Sequence, residues 1–154
     1  MKLSATYAFT APSEKVFAAL VDPSVLQKCI DGCEKMEMTG EDCYAAHLKI
    51  GVAGIKGTYV GKIQIADQKP PESFTLQAEG KGSPGWVKGT GKIQISPKDE
   101  GSEIRCEAEG QVGGLIAAVG SRLVEAAGKK MMNEFFRKLG LELNGFLEKR
   151  DSNT

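Results

Sequence analysis

Between residues 113 and 147 the chain reads GGLIAAVGSRLVEAAGKKMMNEFFRKLGLELNGFL, a stretch with no proline. One long helix can run through it. Leu115, Val119, Leu123, Ala126, Ala127, Met131, Phe135 and Leu139 recur at spacings of three and four. They form an apolar stripe, with Arg122, Glu125, Lys129, Asn133 and Lys138 mostly on the other side. A stripe of that length needs a broad apolar surface to cover it, and this requirement limits what the remainder of the chain can be.

The rest of the sequence supplies that surface as a sheet. Leu3, Ala5, Tyr7 and Phe9 alternate with Lys2, Ser4, Thr6 and Ala8, the pattern of a half-buried strand. Thr10-Ala11-Pro12-Ser13 ends it, and a helix starting at Pro12 or Ser13 follows, with Glu14 in its first turn and Val16, Phe17 and Leu20 facing inward. Asp22-Pro23-Ser24 starts a second short helix carrying Val25, Leu26 and Cys29. Six strand-like segments come next, about residues 33–39, 43–52, 55–66, 73–82, 85–97 and 102–112. Residues 39–42, 51–54 and 98–101 suit hairpin loops, and Lys69-Pro70-Pro71-Glu72 is a firm stop. The predicted class is α+β: a seven-stranded curved antiparallel sheet, two short helices after the first strand, and a long C-terminal helix. Residues 1–147 form one domain and residues 148–154 a polar tail.

Strand parity assigns the inner face. It is lined by Tyr7, Phe17, Leu26, Tyr59, Phe74, Leu76, Ile93, Ile104 and Cys106, and closed by Val119, Leu123, Ala127, Met131 and Phe135 from the long helix. This surface can be a solid core or the wall of a cavity. Gly57, Gly61, Gly80, Gly82, Gly89, Gly91 and Gly110 sit inside strand patterns, where they allow sharp bending and leave the inner face short of side-chain volume. A solid core would fill those positions, because empty volume costs stability. Relief of crowding under the helix is the other use for them. Trp86, after the glycine-rich hairpin at residues 80–85, is either core packing or a lid that stacks on a flat ligand or a lipid interface. The tyrosines offer hydroxyls to orient an otherwise apolar guest.

With 20 basic and 20 acidic residues and 6% aromatics, nothing in the chain would attract a nucleic acid. No run is long enough to cross a bilayer, and the N-terminus lacks a secretory apolar core, so a soluble, cytoplasmic protein with reduced cysteines is expected. Chemistry is poorly represented. His47, the one histidine, shares the solvated strand face with Lys49. Cys29 and Cys33 are four apart, but Asp31-Gly32 interrupts them and no second ligand pair follows, which leaves zinc or a redox pair weakly supported. Gly80-Lys81-Gly82-Ser83-Pro84-Gly85 joins two strands and lacks the helix N-terminus of a phosphate site. No metal or cofactor is expected.

The element order resembles the helix-grip arrangement of the START-like superfamily, also called Bet v 1-like. Closer likeness lies in particular residues: Ala11-Pro12 leading to Val16-Phe17-Ala18-Ala19-Leu20, then Asp22-Pro23-Ser24-Val25-Leu26 and Cys29-Ile30-Asp31-Gly32-Cys33. With them go Gly57 to Gly61, Asp67 to Pro71, Gly80-Lys81-Gly82, Lys88-Gly89-Thr90-Gly91, the run from Val112 to Leu123 and the pair Phe135-Phe136. Over roughly residues 1–143 this is similar to the carbon monoxide dehydrogenase G-subunit (CoxG) family. The resemblance implies a non-enzymatic protein whose cavity takes an apolar molecule such as a quinone or lipid. It also implies a partner of the carbon monoxide dehydrogenase type, a molybdenum oxidoreductase, and transient contact with the inner face of the membrane. Some members continue into a longer membrane-associating segment, where this sequence has the polar tail. Two rivals remain: an assembly factor acting by protein contact, and a cyclase-like enzyme using Tyr7, Tyr44, Tyr59 or Asp31 in the same cavity.

Overall fold

The structure, a computed structural model, describes residues 1–144. The tail at 148–154 and the expected helix end at Leu147 lie outside the described residues. Strand β1 spans Lys2–Phe9, helices α1 and α2 span Ser13–Leu20 and Pro23–Cys29, and strands β2 to β7 span Cys33–Gly40, Cys43–Ile50, Gly57–Lys69, Ser73–Gly82, Gly85–Lys98 and Gly101–Gly113. They form one antiparallel sheet in the order β1-β7-β6-β5-β4-β3-β2. Only β1 makes a long-range pairing, with β7, and the other neighbours are successive hairpins. The strand limits fall close to those predicted because alternation and turn residues agree: Asp42 and Asp99, in two of the hairpin loops, take the positive φ values that aspartate tolerates.

The short helices are defined locally. The Asp22 carboxylate accepts a 2.9 Å hydrogen bond from the Ser24 backbone N–H and caps α2, and Pro23 fits the first helical position. Val16, Phe17 and Leu20 of α1 are buried as predicted, together with Leu26 and Cys29 of α2. Lys138 to Asp31 and Lys28 to Glu142 ion pairs, at 3.1 and 3.3 Å, join this region to the terminal helix.

The helix expected from residue 113 onward is broken. A four-residue helix α3 spans Leu115–Ala118, Gly120 reverses the backbone at φ +100°, and α4 runs from Ser121 to Asn144. Rotation at the break changes the phase of the stripe. Val124, Ala127, Phe136, Leu139 and Leu143 are buried, whereas Leu115, Val119 and Leu123 are 71%, 45% and 41% exposed. Ile116 is the residue of α3 that points into the core. A methyl group on Gly120 would touch nothing within 4 Å, so the Gly120→Ala variant carries only the left-handed backbone penalty. It is expected to lose about 1–2 kcal/mol in urea unfolding.

Two separate apolar clusters make the core. The larger holds α1, α2 and the C-terminal part of α4 against the sheet, with Ile104 and Leu139 completely buried. The smaller joins Tyr59, Ile116 and Val124, with Leu48, Ile50, Ile55, Val87 and Val112 around it.

Candidate functional site

Beside the larger cluster, α4 comes close to the sheet at β1 but stands off β5, β6 and β7. A cavity of about 270 Å³ lies there. Its floor is Gly89, Gly91 and Ile93 on β6, Cys106, Ala108 and Gly110 on β7, and Phe74, Leu76 and Ala78 on β5. Leu20, Leu26 and Ile30 close one end, Gly128, Met132, Phe135 and Phe136 form the roof, and Met1 and Leu3 wall the β1 side. Val87 belongs to the wall and also packs on the smaller cluster.

Glycines create this space. Gly89 pairs with Gly110 across β6 and β7, and Gly91 pairs with Ala108, so four adjoining floor positions carry at most a methyl group. A Cβ on Gly91 would meet no atom within 4 Å, whereas one on Gly89 would come 3.1 Å from the Glu109 carbonyl oxygen. Gly91 therefore faces open volume, and Gly89 owes its identity partly to close backbone approach. On the roof, Gly128 lets β1 come near: a Cβ there would sit 3.1 Å from Leu3 Cδ1 and 3.5 Å from Met1 Cε. Of the uses anticipated for the strand glycines, open volume holds at Gly91, whereas the close approach at Gly89 is to the neighbouring strand and not to the helix.

Of the residues predicted to line the site, Leu26, Phe74, Leu76, Ile93, Cys106 and Phe135 are brought together around this cavity. The others lie elsewhere. Phe17 and Ile104 are buried in the larger cluster, Phe17 edge-on to Phe74 at 5.6 Å. Ala127 is buried on α4, and Met131 is half-buried on the same helix. Val119 and Leu123, expected to close the cavity, are on the surface because of the break at Gly120. Trp86 neither fills the core nor covers the cavity. It is 40% exposed, and its indole lies so close over Gly113 that a Cβ there would collide with Nε1.

The tyrosine expectation also fails. Tyr7 stacks on Phe136 at 4.4 Å and donates its hydroxyl to Asn133 Oδ1 at 2.6 Å, while Tyr59 donates to the Ile55 carbonyl at 2.5 Å. Tyr44 is buried in the larger cluster. Parity tells which face a side chain takes, but its height along the strand decides whether it meets cavity or packed core. Sequence reasoning misses Met132, Phe136, Met1 and Leu3 as wall residues. The signal that could have found the first two is Gly120, whose helix-breaking tendency sets α4 in its own phase.

Charge is kept out of the interior. Burial pushes the Cys106 thiol up to about 11, with Glu107 adding to the effect, and burial likewise pushes Cys29 up to about 11. Burial also raises Tyr7, Tyr44 and Tyr59. An unfolded cysteine ionises near 8.5. A thiol held neutral in the fold gives stability that is complete below that value and is lost as the pH rises through the folded value. The urea midpoint is therefore expected to fall between about pH 8.5 and 11. His47 is exposed on the outer face of β3, and all four cysteines are free. Among the described residues no group of three or more His, Cys, Asp or Glu could hold a metal ion. No helix among them is long and apolar enough to cross a membrane.

The family model for the carbon monoxide dehydrogenase G-subunit (CoxG) matches residues 7–144. A conserved protein from Geobacillus kaustophilus, known from its crystal structure, is 35% identical, with a TM-score of 0.91 over 94% of this chain and 96% of that one. The Zhui aromatase/cyclase from Streptomyces sp. R1128 is 15% identical, with a TM-score of 0.68 over 94% and 93%. Ara h 8.0201 is 14% identical, with a TM-score of 0.65 over 91% and 95%. These two share the helix-grip fold. No curated protein sequence matches the chain.

Proposed function

The chain belongs to the carbon monoxide dehydrogenase G-subunit (CoxG) family, and from that premise we propose that it is a non-enzymatic carrier whose cavity takes the ring system of a quinone-like molecule. The cavity walled by the larger core cluster and floored by Gly91 carries this reading. Its 270 Å³ exceeds the roughly 150 Å³ that accepts one benzene ring and falls just short of the roughly 300 Å³ where pockets for drug-sized ligands begin. Two fused rings suit that volume. A long isoprenoid tail does not, so it would remain outside. Binding would rest on apolar burial, about 0.8 kcal/mol for each CH₂ equivalent taken from water.

The partner in this reading is a molybdenum oxidoreductase of the carbon monoxide dehydrogenase type, and ligand exchange involves transient membrane contact. A cyclase-like reaction would need an acid or base facing the cavity. Lys88 and Glu109 border the cavity, but both are exposed and Glu109 pairs with Lys2; Asp31 is paired with Lys138 at 3.1 Å, and the Tyr7 and Tyr59 hydroxyls are engaged elsewhere. The carrier reading is tested by calorimetric titration with menadione, a two-ring quinone without a tail. Saturable binding at one site is expected. Absence of binding, with native mass spectrometry of protein from its own host showing no apolar guest, would refute it.

A further inference from the structure

Most of the cavity wall belongs to the buried core, and one part of it does not. Leu20, Leu26, Phe74, Ile93, Cys106 and Phe136 are buried, whereas Met1 is 42% exposed. Of the large apolar side chains exposed among the described residues, Met1 alone also lines the cavity. It stands where the sheet edge, β1, comes up to α4. Its methyl group lies 3.2 Å from where a Cβ on Gly110 of β7 would stand and 3.5 Å from where one on Gly128 of α4 would. The side chain thus reaches from floor to roof between two positions that carry none of their own. Leu3 flanks it, 3.1 Å from the same Gly128 position. Two hydrogen bonds fix the Met1 backbone to β7: its amino group donates to the Gly110 carbonyl at 3.1 Å, and the Gly110 N–H donates to the Met1 carbonyl at 2.9 Å. Beyond them the thioether is unbranched and packs on glycines.

We propose that this point on the seam between β1 and α4 is the entrance of the cavity, with the Met1 side chain as its gate. Swung towards solvent, the side chain leaves a passage bounded by Gly110 and Gly128. A methionine has three rotatable bonds and adapts to irregular gaps, and an exposed side chain changes rotamer within nanoseconds. Every other way in disturbs more. Beside α2, Leu20 and Leu26 are buried, and the Lys138–Asp31 and Lys28–Glu142 ion pairs tie that region to α4. Further along the same seam, Tyr7 stacks on Phe136 and donates to Asn133, which latches β1 to α4. Towards α3 the buried cluster of Tyr59, Ile116 and Val124 stands in the way. A tail too long for the cavity leaves by the Met1 passage. The gate is a property of the wall alone. Its use, admission of an apolar guest, rests on the carrier reading.

Cys106, buried on the cavity floor, reports the opening whether or not a guest is carried. Cys29, buried outside the cavity wall, reports unfolding. Met1→Ala is made by cutting an N-terminal fusion, which keeps the amino group. In that variant N-ethylmaleimide is expected to modify Cys106 about tenfold faster than in the parent, read by peptide mass, with Cys29 unchanged, because the reagent passes an open gate. Stopped-flow mixing with menadione should show association and dissociation both about tenfold faster and a dissociation constant within about threefold of the parent's, since a gate changes the path and not the bound state. Leu115→Ala, a loss of apolar surface on exposed α3, should behave like the parent. Unchanged Cys106 modification and unchanged menadione rates in Met1→Ala overturn the proposal. Equal acceleration at Cys29 assigns the effect to unfolding and overturns it as well. Equal acceleration in Leu115→Ala overturns the location. If Met1→Ala speeds Cys106 modification while the parent binds no menadione, the entrance stands and the carrier reading falls.

Discussion

Replacing Gly91 with leucine is expected to abolish menadione binding while making the protein more stable. A Cβ at Gly91 meets no atom within 4 Å, and its strand partners on either side are Leu76 and Ala108, both cavity residues. The new side chain would enter the empty volume and bury apolar surface there. Exchange of an interior strand glycine gains about 0.5–1 kcal/mol in backbone terms, and burial of the side chain adds up to about 1.5–3 kcal/mol. Thermal unfolding should rise by several degrees, at roughly 2–4 °C per kcal/mol for a chain near this size. Menadione affinity should fall at least about tenfold, because the plug takes a large share of a 270 Å³ space. These opposite signs make the result informative: a variant that merely misfolded would lose both. Menadione affinity equal to the parent's in a stabilised G91L protein would place the guest elsewhere. Pull-down of a carbon monoxide dehydrogenase-type oxidoreductase by G91L would separate the carrier reading from the assembly-factor reading, since protein contact alone would survive the plug.

The second large effect is expected at Phe136. This residue is 4% exposed, stacks on Tyr7 at 4.4 Å, and meets Phe135 edge-on at 5.0 Å, so it joins α4 to β1 as well as forming part of the cavity roof. Phe136→Ala should cost about 3–5 kcal/mol, a large part of the roughly 5–15 kcal/mol that holds a domain folded. Thermal unfolding should fall by about 10 °C or more. Phe135→Ala should cost less, because Phe135 is only half-buried and faces the open volume. A smaller loss at Phe136 than at Phe135 would show that the roof is held differently from the arrangement described.

Neighbouring residues also show how a sequence can be read correctly on one level and wrongly on the next. Alternation places Tyr44, Ala46, Leu48 and Ile50 on the inner face, and they all turn inward, two of them fully buried. Period two is a strict geometric consequence of a pleated strand, so a few residues suffice to establish it. The Phe135-Phe136 pair cannot be read in that way. On a helix either residue can face the core depending on phase, and counting that phase across Gly120, as if the helix were continuous, selects the wrong one as the more deeply buried.

The amino-acid sequence by itself determined the order of elements from β1 to β7, the turn positions, the inner face of most strands and the family, because alternation, turn chemistry and local motifs act over a few residues. Tertiary structure decided where the sheet and α4 stand apart. It decided as well that Gly91 faces empty space, that the tyrosine hydroxyls are engaged outside the cavity, and that Leu115, Val119 and Leu123 lie on the surface. Each of those facts is a distance between segments far apart in the chain, and such a distance depends on how whole elements pack, which no local pattern encodes.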